Sequence, residues 1–551
     1  MKIFTTSTDH VVARYILAAG VSLVAILALW VWHVMPIYPD EIGYQILTGR
    51  YIPDHGMAYG LFALCPSNFK QVTWFFLIPA WTLSFLDQHF SPAALRVFPF
   101  AAAAAAICLA AGYTVRRGTP FAAIIITSSL VGVAGSSMVL MRPEYVHILN
   151  LICCFAAYIF VNSSAQKPIA RYLLIALLLI SIDFSMYSHL QGMIFLPLTL
   201  YFVYCLICGT ADRKLVAIAM LAIIGPAIYM ATTANVYSVT CPEFPAIKNF
   251  LNGMTFHMAQ VKDQGWSNWI GAKVRNTTVD FIYTKNYAIN YLPSLPNPNW
   301  VWEIIFSFFN SLVSLSIKIN LIFSIAITIL MVLREFSRVK NIRYFWKKIL
   351  SILENHRQYA PTILFAPPTL FLFFYDSTQN FYRSIFINFV LAIFLAICLS
   401  NASRRWRAPI FLYATFCAII MIGSITANFV LFYPKLKNGY EGPSFSLNRD
   451  SSAINLDVIA LAQQASMNLK DGGIIFDDLT YNSLKHYYKI YPVTYLMLSS
   501  SLAGIGFEKA LILVKPNYAI VNCYSLPDIK NEVIYRKDNL CAINFNRPAA
   551  P

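Results

Sequence analysis

The stretch YILAAGVSLVAILALWVWHVM, Tyr15 to Met35, followed at once by PIYPDEIGY, Pro36 to Tyr44, decides how the rest of the chain is read. The first run has no Lys, Arg, Asp or Glu, and about 20 apolar residues in a helix match the hydrocarbon thickness of a bilayer. Lys2 and Arg14 precede it as in a secretory signal. It is too long for one, and Pro36-Ile37-Tyr38-Pro39 offers no small-residue cleavage site, so the run reads as an uncleaved membrane anchor. Just beyond it stand two adjacent carboxylates, Asp40 and Glu41.

The whole chain fits that reading. Of 551 residues, 58% are hydrophobic and 12% charged, about half the charge content of a soluble domain. The net charge of +16 does not point to nucleic acid, because the cations fall between apolar runs and act as topology signals. Further spanning or near-spanning runs are Val97 to Val115, Phe121 to Leu140, Tyr145 to Val161, Tyr172 to Phe184, Gly192 to Cys208, Leu215 to Ala231, Ile304 to Leu333, Pro361 to Tyr375, Ser384 to Leu399 and Ile410 to Phe432. With the anchor they predict about eleven spans, an all-α polytopic membrane fold.

Orientation follows from the short basic loops, which stay cytoplasmic. Arg116 and Arg117, Lys167 and Arg171, Arg213 and Lys214, Arg334 through Arg357, and Arg404, Arg405 and Arg407 occupy every second connection. The apolar segment Trp74 to Trp81 would export Arg116 and Arg117 if it crossed, so it is expected to lie as an interfacial helix on the outer surface. This puts the N-terminus in the cytoplasm and the loops 36–96 and 232–303 outside. The transmembrane domain is then residues 1–432, and residues 433–551 form a small α/β domain on the outer, periplasmic face. In that domain a helix is expected near Ile454 to Leu469, and strands at Gly473 to Phe476, Tyr518 to Asn522 and Cys541 to Phe545, with a turn at Asp538-Asn539. Eleven cysteines lie mostly in apolar runs. Cys65, Cys241, Cys523 and Cys541 lie in polar segments, where disulfides Cys523–Cys541 and Cys65–Cys241 and free thiols are both open readings.

No G-x-x-x-x-G-K-[ST] phosphate loop and no Gly-rich strand-to-helix turn occurs, which argues against a pump or enzyme fed by a cytosolic nucleotide. Chemistry is therefore sought on the outer face. Neighbouring carboxylates at a lipid boundary repel one another and are partly desolvated, which suits a general base or a metal ligand; Arg50, Asp54 and His55 follow them. Glu144, after Arg142 and Pro143, opens a span in its first turn, the position of a helix-capping acid as well as of a functional one. His189, in the tight connection Ser185 to Gly192, is either a phosphate, metal or hydroxyl contact or a structural residue. Arg383, near Asn380, is a cation at the outer interface that calls for an anion, a lipid headgroup or a substrate phosphate. The long outer loop sets Lys262 and other charges among Trp266, Trp269 and tyrosines, a mixture suited to sugars and phosphates.

Taken together this layout resembles the GT-C class of membrane glycosyltransferases, the superfamily of protein O-mannosyltransferases and aminoarabinose transferases. The shared features are the acidic pair after the first span, the interfacial helix before the second, the Arg-x-acid element at the third, the long outer loop after the seventh and the closing soluble domain. Ser188 to Gly192 with Leu196-Pro197 is similar to the His-containing element of uncharacterised bacterial members. The resemblance implies a transferase in the bacterial inner membrane that moves a sugar from a polyprenyl-phosphate donor to a cell-envelope glycan or lipid acceptor. It implies Asp40 as base with Glu41 as its neighbour, Glu144 as a further acid and Arg383 as a donor-phosphate contact; beside these, the residues themselves make Glu41 a candidate catalytic acid and Arg142, His189, Asn380, Lys262 and His55 candidate substrate contacts. A divalent metal ion is an open expectation, since the outer loops show no obvious ligand set. An O-antigen ligase or polymerase, relying on outer-loop Arg and His, and a secondary transporter are the rival readings; the latter calls for charges near mid-bilayer, and the only candidate, Asp183, sits near a span's outer end.

Overall fold

The computed structural model describes residues 92–116, 120–128, 144–163, 167–188, 195–207, 407–437, 452–487, 489–525 and 534–546. It also describes scattered positions, among them 41–42, 63–64, 86, 89–90, 192 and 243–247, and single helical residues of 15–30, 217–275, 300–333 and 394–399. The helices of the membrane part are α1 (Val97–Arg116), α2 (Pro120–Ser128), α3 (Glu144–Val161), α4 (Pro168–Ser188), α5 (Leu196–Ile207) and α6 (Arg407–Lys437). Among the described residues, Val97–Thr114 and Pro168–Met186 are long and apolar enough to cross a membrane. Trp74 to Trp81 lies outside the described residues, as do most of the spans expected between 208 and 399.

Helix α3 is the hub, packed against α1, α4 and α5, while α2 packs between α1 and α6. Alanines make the close approaches: Ala102, Ala103, Ala106 and Ala110 are buried on one side of α1. Small residues let helix backbones come together where lipid supplies no hydrophobic drive between helices. The polar groups inside are paired across helices. His147 on α3 shares a hydrogen bond with the Ser185 hydroxyl of α4. The Asn150 amide donates to Ser181 Oγ at 3.0 Å and accepts from Thr199 Oγ1 of α5 at 3.2 Å. His147, Asn150 and Cys154 share one face of α3 at helical spacing, so this ladder locks α3, α4 and α5 in one register. Gly192 lies hard against the end of α4, because a Cβ there would be 2.4 Å from the backbone carbonyl of Ser185.

The tail is an α/β unit: α7 (Ser452–Gln464), β1 (Ile474–Phe476), α8 (Tyr481–Leu484), β2 (Ile490–Pro492), α9 (Val493–Leu502), α10 (Phe507–Val514), β3 (Tyr518–Asn522), β4 (Ile534–Lys537) and β5 (Leu540–Asn544). Its five strands run in the order β2-β1-β3-β5-β4. The pairs β1–β2 and β1–β3 are parallel, and β3–β5 and β4–β5 antiparallel. Alternate residues point to opposite faces of a sheet. Ile474, Phe476 and Ile520 join α7 in one apolar cluster, while Ile475, Ala519 and Val521 join α9 and α10 in another. The expected helix and three strands are present, and Asp538 takes the positive φ of 51° that its turn requires. Strands β2 and β4 and helices α9 and α10 are additions to that expectation. A disulfide joins Cys523, the residue after β3, to Cys541 in β5, whose register partner on β3 is Val521. Cys65 and Cys241 lie outside the described residues.

Candidate functional site

The site is built on the head of α1. After the short turn Pro92–Leu95, Arg96 stands immediately before α1, and its carbonyl accepts the amide of Phe100 at 3.0 Å. A cation at a helix N-terminus opposes the helix dipole. Glu41, 55 residues earlier in the chain, offsets it: Arg96 Nε donates to Glu41 Oε1 at 2.7 Å and Nη2 to Oε2 at 2.5 Å. Both side chains are at 0% exposure. The two parallel bonds make a planar fork that holds the carboxylate in one orientation. Trp30, in the first span, meets Phe100 of α1 edge-to-face at 6.0 Å, so the span and the residues that follow it are tied to α1 at two points.

The C-terminal domain closes over this junction. Ile42 is buried in the same cluster as Leu479, Tyr481 and Leu484 of the tail. Lys485, 4% exposed, donates from Nζ to the Phe90 carbonyl at 2.9 Å. The segment after span one, the segment before α1 and the tail domain therefore meet at one end of the bundle. In the tail domain the turn after β1 is held by Asp477. Its Oδ1 accepts the amides of Leu479 and Thr480, both at 3.1 Å, and its Oδ2 accepts the Asn522 amide at 2.7 Å. Burial, and then the neighbouring Asp478 carboxylate, push the Asp477 carboxyl up to about 6 against the pull of these donors.

Of the sequence-derived site residues, Glu41 is fully described and is paired with Arg96. Glu144 opens α3, as the Pro143 break predicts, and its side chain lies outside the described residues. Asp40, His55, Arg142, His189, Lys262, Asn380 and Arg383 lie outside them as well. Among the described residues no group of three or more His, Cys, Asp or Glu is arranged to hold a metal ion, and both oxygens of Glu41 serve the guanidinium. Arg96, His147 and Lys485 are the residues that sequence reasoning passed over. Arg96 had a usable signal, the same one that singled out Arg383: a cation at the end of a span that the basic loops are expected to place outside. His147 and Lys485 gain their partners, Ser185 and Phe90, from segments remote in sequence, and nothing local marks them.

No protein-family model matches the chain, and no curated protein matches it in sequence. Among solved structures it is similar to ArnT from Cupriavidus metallidurans bound to undecaprenyl phosphate, at 12% identity and a TM-score of 0.44, over 99% of this chain and 100% of that one. It is similar also to ArnT from the same organism in the apo state, at 12% identity and a TM-score of 0.41, over 98% of each. At this distance no residue role passes from one chain to the other.

Proposed function

We propose that this chain is a membrane glycosyltransferase that moves a sugar from a polyprenyl-phosphate donor to a hydroxyl of a cell-envelope glycan or lipid on the outer face of the bacterial inner membrane. The observation that carries the reading is the fixed acidic junction after span one. Glu41 is locked to Arg96 with both side chains fully buried, and the next residue is buried in the tail domain. An acid needed as a base must be held within a few tenths of an ångström of its substrate, and such holding comes from a rigid supporting shell. In this reading Glu41 is the anchor and Asp40, its neighbour, the base.

Asp40 takes the proton of the acceptor hydroxyl as that oxygen bonds to the anomeric carbon. The bond from that carbon to the phosphate oxygen breaks, and polyprenyl phosphate leaves with the electron pair. Outer cations, Arg383 and Lys262, hold the leaving phosphate, with Arg142, His189, Asn380 and His55 as further substrate contacts and Glu144 as the second acid. The outward placement is supported by the basic loops at every second connection and by the Cys523–Cys541 disulfide, which belongs in an oxidising compartment.

The test is transfer of radiolabelled sugar from synthetic short-chain polyprenyl-phosphate sugars to envelope extract by the full chain in proteoliposomes. Asp40→Asn is expected to lower transfer by a factor of about 10² to 10⁴ with expression unchanged. Full activity in that variant overturns the assignment. Activity that survives Asp40→Asn but is lost in Arg383→Ala and His189→Ala identifies a ligase-type enzyme instead.

A further inference from the structure

The turn and short helix that follow β1 are bolted to the sheet. Asp477 accepts the amides of Leu479, Thr480 and Asn522, and Thr480 Oγ1 donates to the Ile520 carbonyl of β3 at 2.7 Å. Helix α8 starts directly after this turn, and the Lys485 amide closes it on the Tyr481 carbonyl at 2.7 Å. Helix α8 therefore moves with β1 and β3, and whatever it touches outside the domain is held where the sheet is held.

What it touches is the pair of segments that carry Glu41 and Arg96. Leu479, Tyr481 and Leu484 share an apolar cluster with Ile42, the residue after Glu41. Lys485 Nζ donates to the Phe90 carbonyl at 2.9 Å. Phe90 ends a helical turn, since Leu86 and His89 are helical and the Phe90 amide donates to the Leu86 carbonyl at 2.8 Å. The last carbonyls of a helix have no amide partner within it and carry its negative dipole end, so a lysine ammonium is a favoured partner there. From Phe90 the chain runs through Pro92–Leu95 to Arg96 at the head of α1.

We propose that α8 makes the C-terminal domain part of the catalytic apparatus, with Lys485 the positioning residue that clamps the segment of Asp40 and Glu41 to the head of α1. The inference rests on the reading of Asp40 as the base. An ion pair fixes one point of a segment and lets the residues beside it swing. Ile42 under α8 fixes the neighbouring point, and Lys485 ties α8 to the segment that leads into Arg96, so the two segments are joined twice. A tail that only rested on the bundle would need no charge for it. Burying an ammonium is costly, and apolar contacts of the same volume are at least as stabilising. A charge-assisted hydrogen bond adds direction, and direction is what the placing of a base to a few tenths of an ångström requires. The core of the domain itself is apolar, built on Val458, Leu461, Phe476 and Ile520, whereas the Lys485 ammonium is spent on a carbonyl of the bundle.

The test measures transfer by the full chain in proteoliposomes, with a synthetic short-chain polyprenyl-phosphate sugar as donor. It compares Lys485→Met with Ile42→Ala, which loosens the same clamp from outside the tail. A displacement of about 1 Å at a reacting group costs about a hundredfold in rate, so kcat is expected to fall by at least about tenfold in each variant. KM for the donor stays within about twofold, because Lys485 bonds main chain and not substrate. In nanodiscs, peptides covering residues 36–50 exchange their amides at least about tenfold faster, while those of β1 and β3 stay within about threefold of the parent. In a variant whose β1 and β3 stay protected, a smaller fall in kcat, a loss carried by KM or a smaller rise in exchange at 36–50 overturns the proposal. If Lys485→Met opens β1 and β3, Ile42→Ala decides by the same criteria. Opening of β1 and β3 in both variants makes the contact a structural one and overturns the proposal too. Asp40→Asn, assayed alongside, separates the two readings. With Asp40→Asn inactive and both clamp variants fully active, only the role of Lys485 falls. A fully active Asp40→Asn removes the base assignment, and this inference with it.

Discussion

Removing one member of the Glu41–Arg96 pair leaves a charge with nowhere to go. Both side chains have 0% exposure and are joined by two bonds of 2.7 and 2.5 Å. Breaking such a pair from one side costs about 3–5 kcal/mol, whereas replacing both members by apolar side chains of similar volume is close to neutral. Glu41→Leu and Arg96→Met should each destabilise the junction by about that amount, and the double variant should stay within about 1–2 kcal/mol of the parent. Because global unfolding of a membrane protein is seldom reversible, local hydrogen exchange in nanodiscs is the better assay. One decade in exchange rate corresponds to about 1.4 kcal/mol. Peptides covering residues 36–50 and 90–100 should therefore exchange at least two decades faster in each single variant. The double variant should return to within about one decade. Single variants that change exchange less than threefold, or a double variant equal to the sum of the two, refute the reasoning. If Glu41 is an anchor for Asp40, transfer activity returns at least in part in the double variant; as a catalytic acid it would not.

Gly192→Ala forces a Cβ to within 2.4 Å of the Ser185 backbone and disturbs the residue that bonds His147; overpacking of this kind costs about 1–3 kcal/mol, expected as a lower thermal midpoint in detergent, and an unchanged midpoint counts against the described turn. The Asp477 carboxyl, raised from 3.8 to about 6, binds a proton in the folded domain that the unfolded chain has already released between those values. Stability should therefore fall by about 3 kcal/mol as pH rises from about 4 to 6 and then level off. Hydrogen exchange of β1 and β3 reads that slope, and Asp477→Asn, which cannot titrate, should flatten it while losing the bond to the Asn522 amide. The Cys523–Cys541 bridge closes a segment with a sequence separation of 18, and its removal by Cys523→Ala with Cys541→Ala should cost about 3 kcal/mol, seen as faster proteolysis of the tail with the bundle intact.

Membrane class, the anchor, the composition break before the tail, and the strands β1, β3 and β5 were all legible in the order of residues, because each is a local property. Hydropathy over 20 residues, a short strand-forming run bounded by turn residues, and an Asp-Asn turn need no knowledge of the fold. The same locality explains the element boundaries: α4 runs from Pro168 to Ser188 and α6 from Arg407 to Lys437, beyond the apolar cores that announced them, since polar ends continue a helix once its middle is buried. Strands β2 and β4, of three and four residues, are too short to show a period, and they exist because β1 and β5 offer them an edge. What only the tertiary structure decided is partnership across distance. The Glu41 carboxylate was visible as a charge beyond a span, but that it belongs to Arg96 depends on span one packing against α1, and that Ile42 is buried depends on a domain more than 400 residues later. Low dielectric makes each such pairing strong and each unpaired charge costly, so the fold fixed these partners although no spacing in the sequence records them.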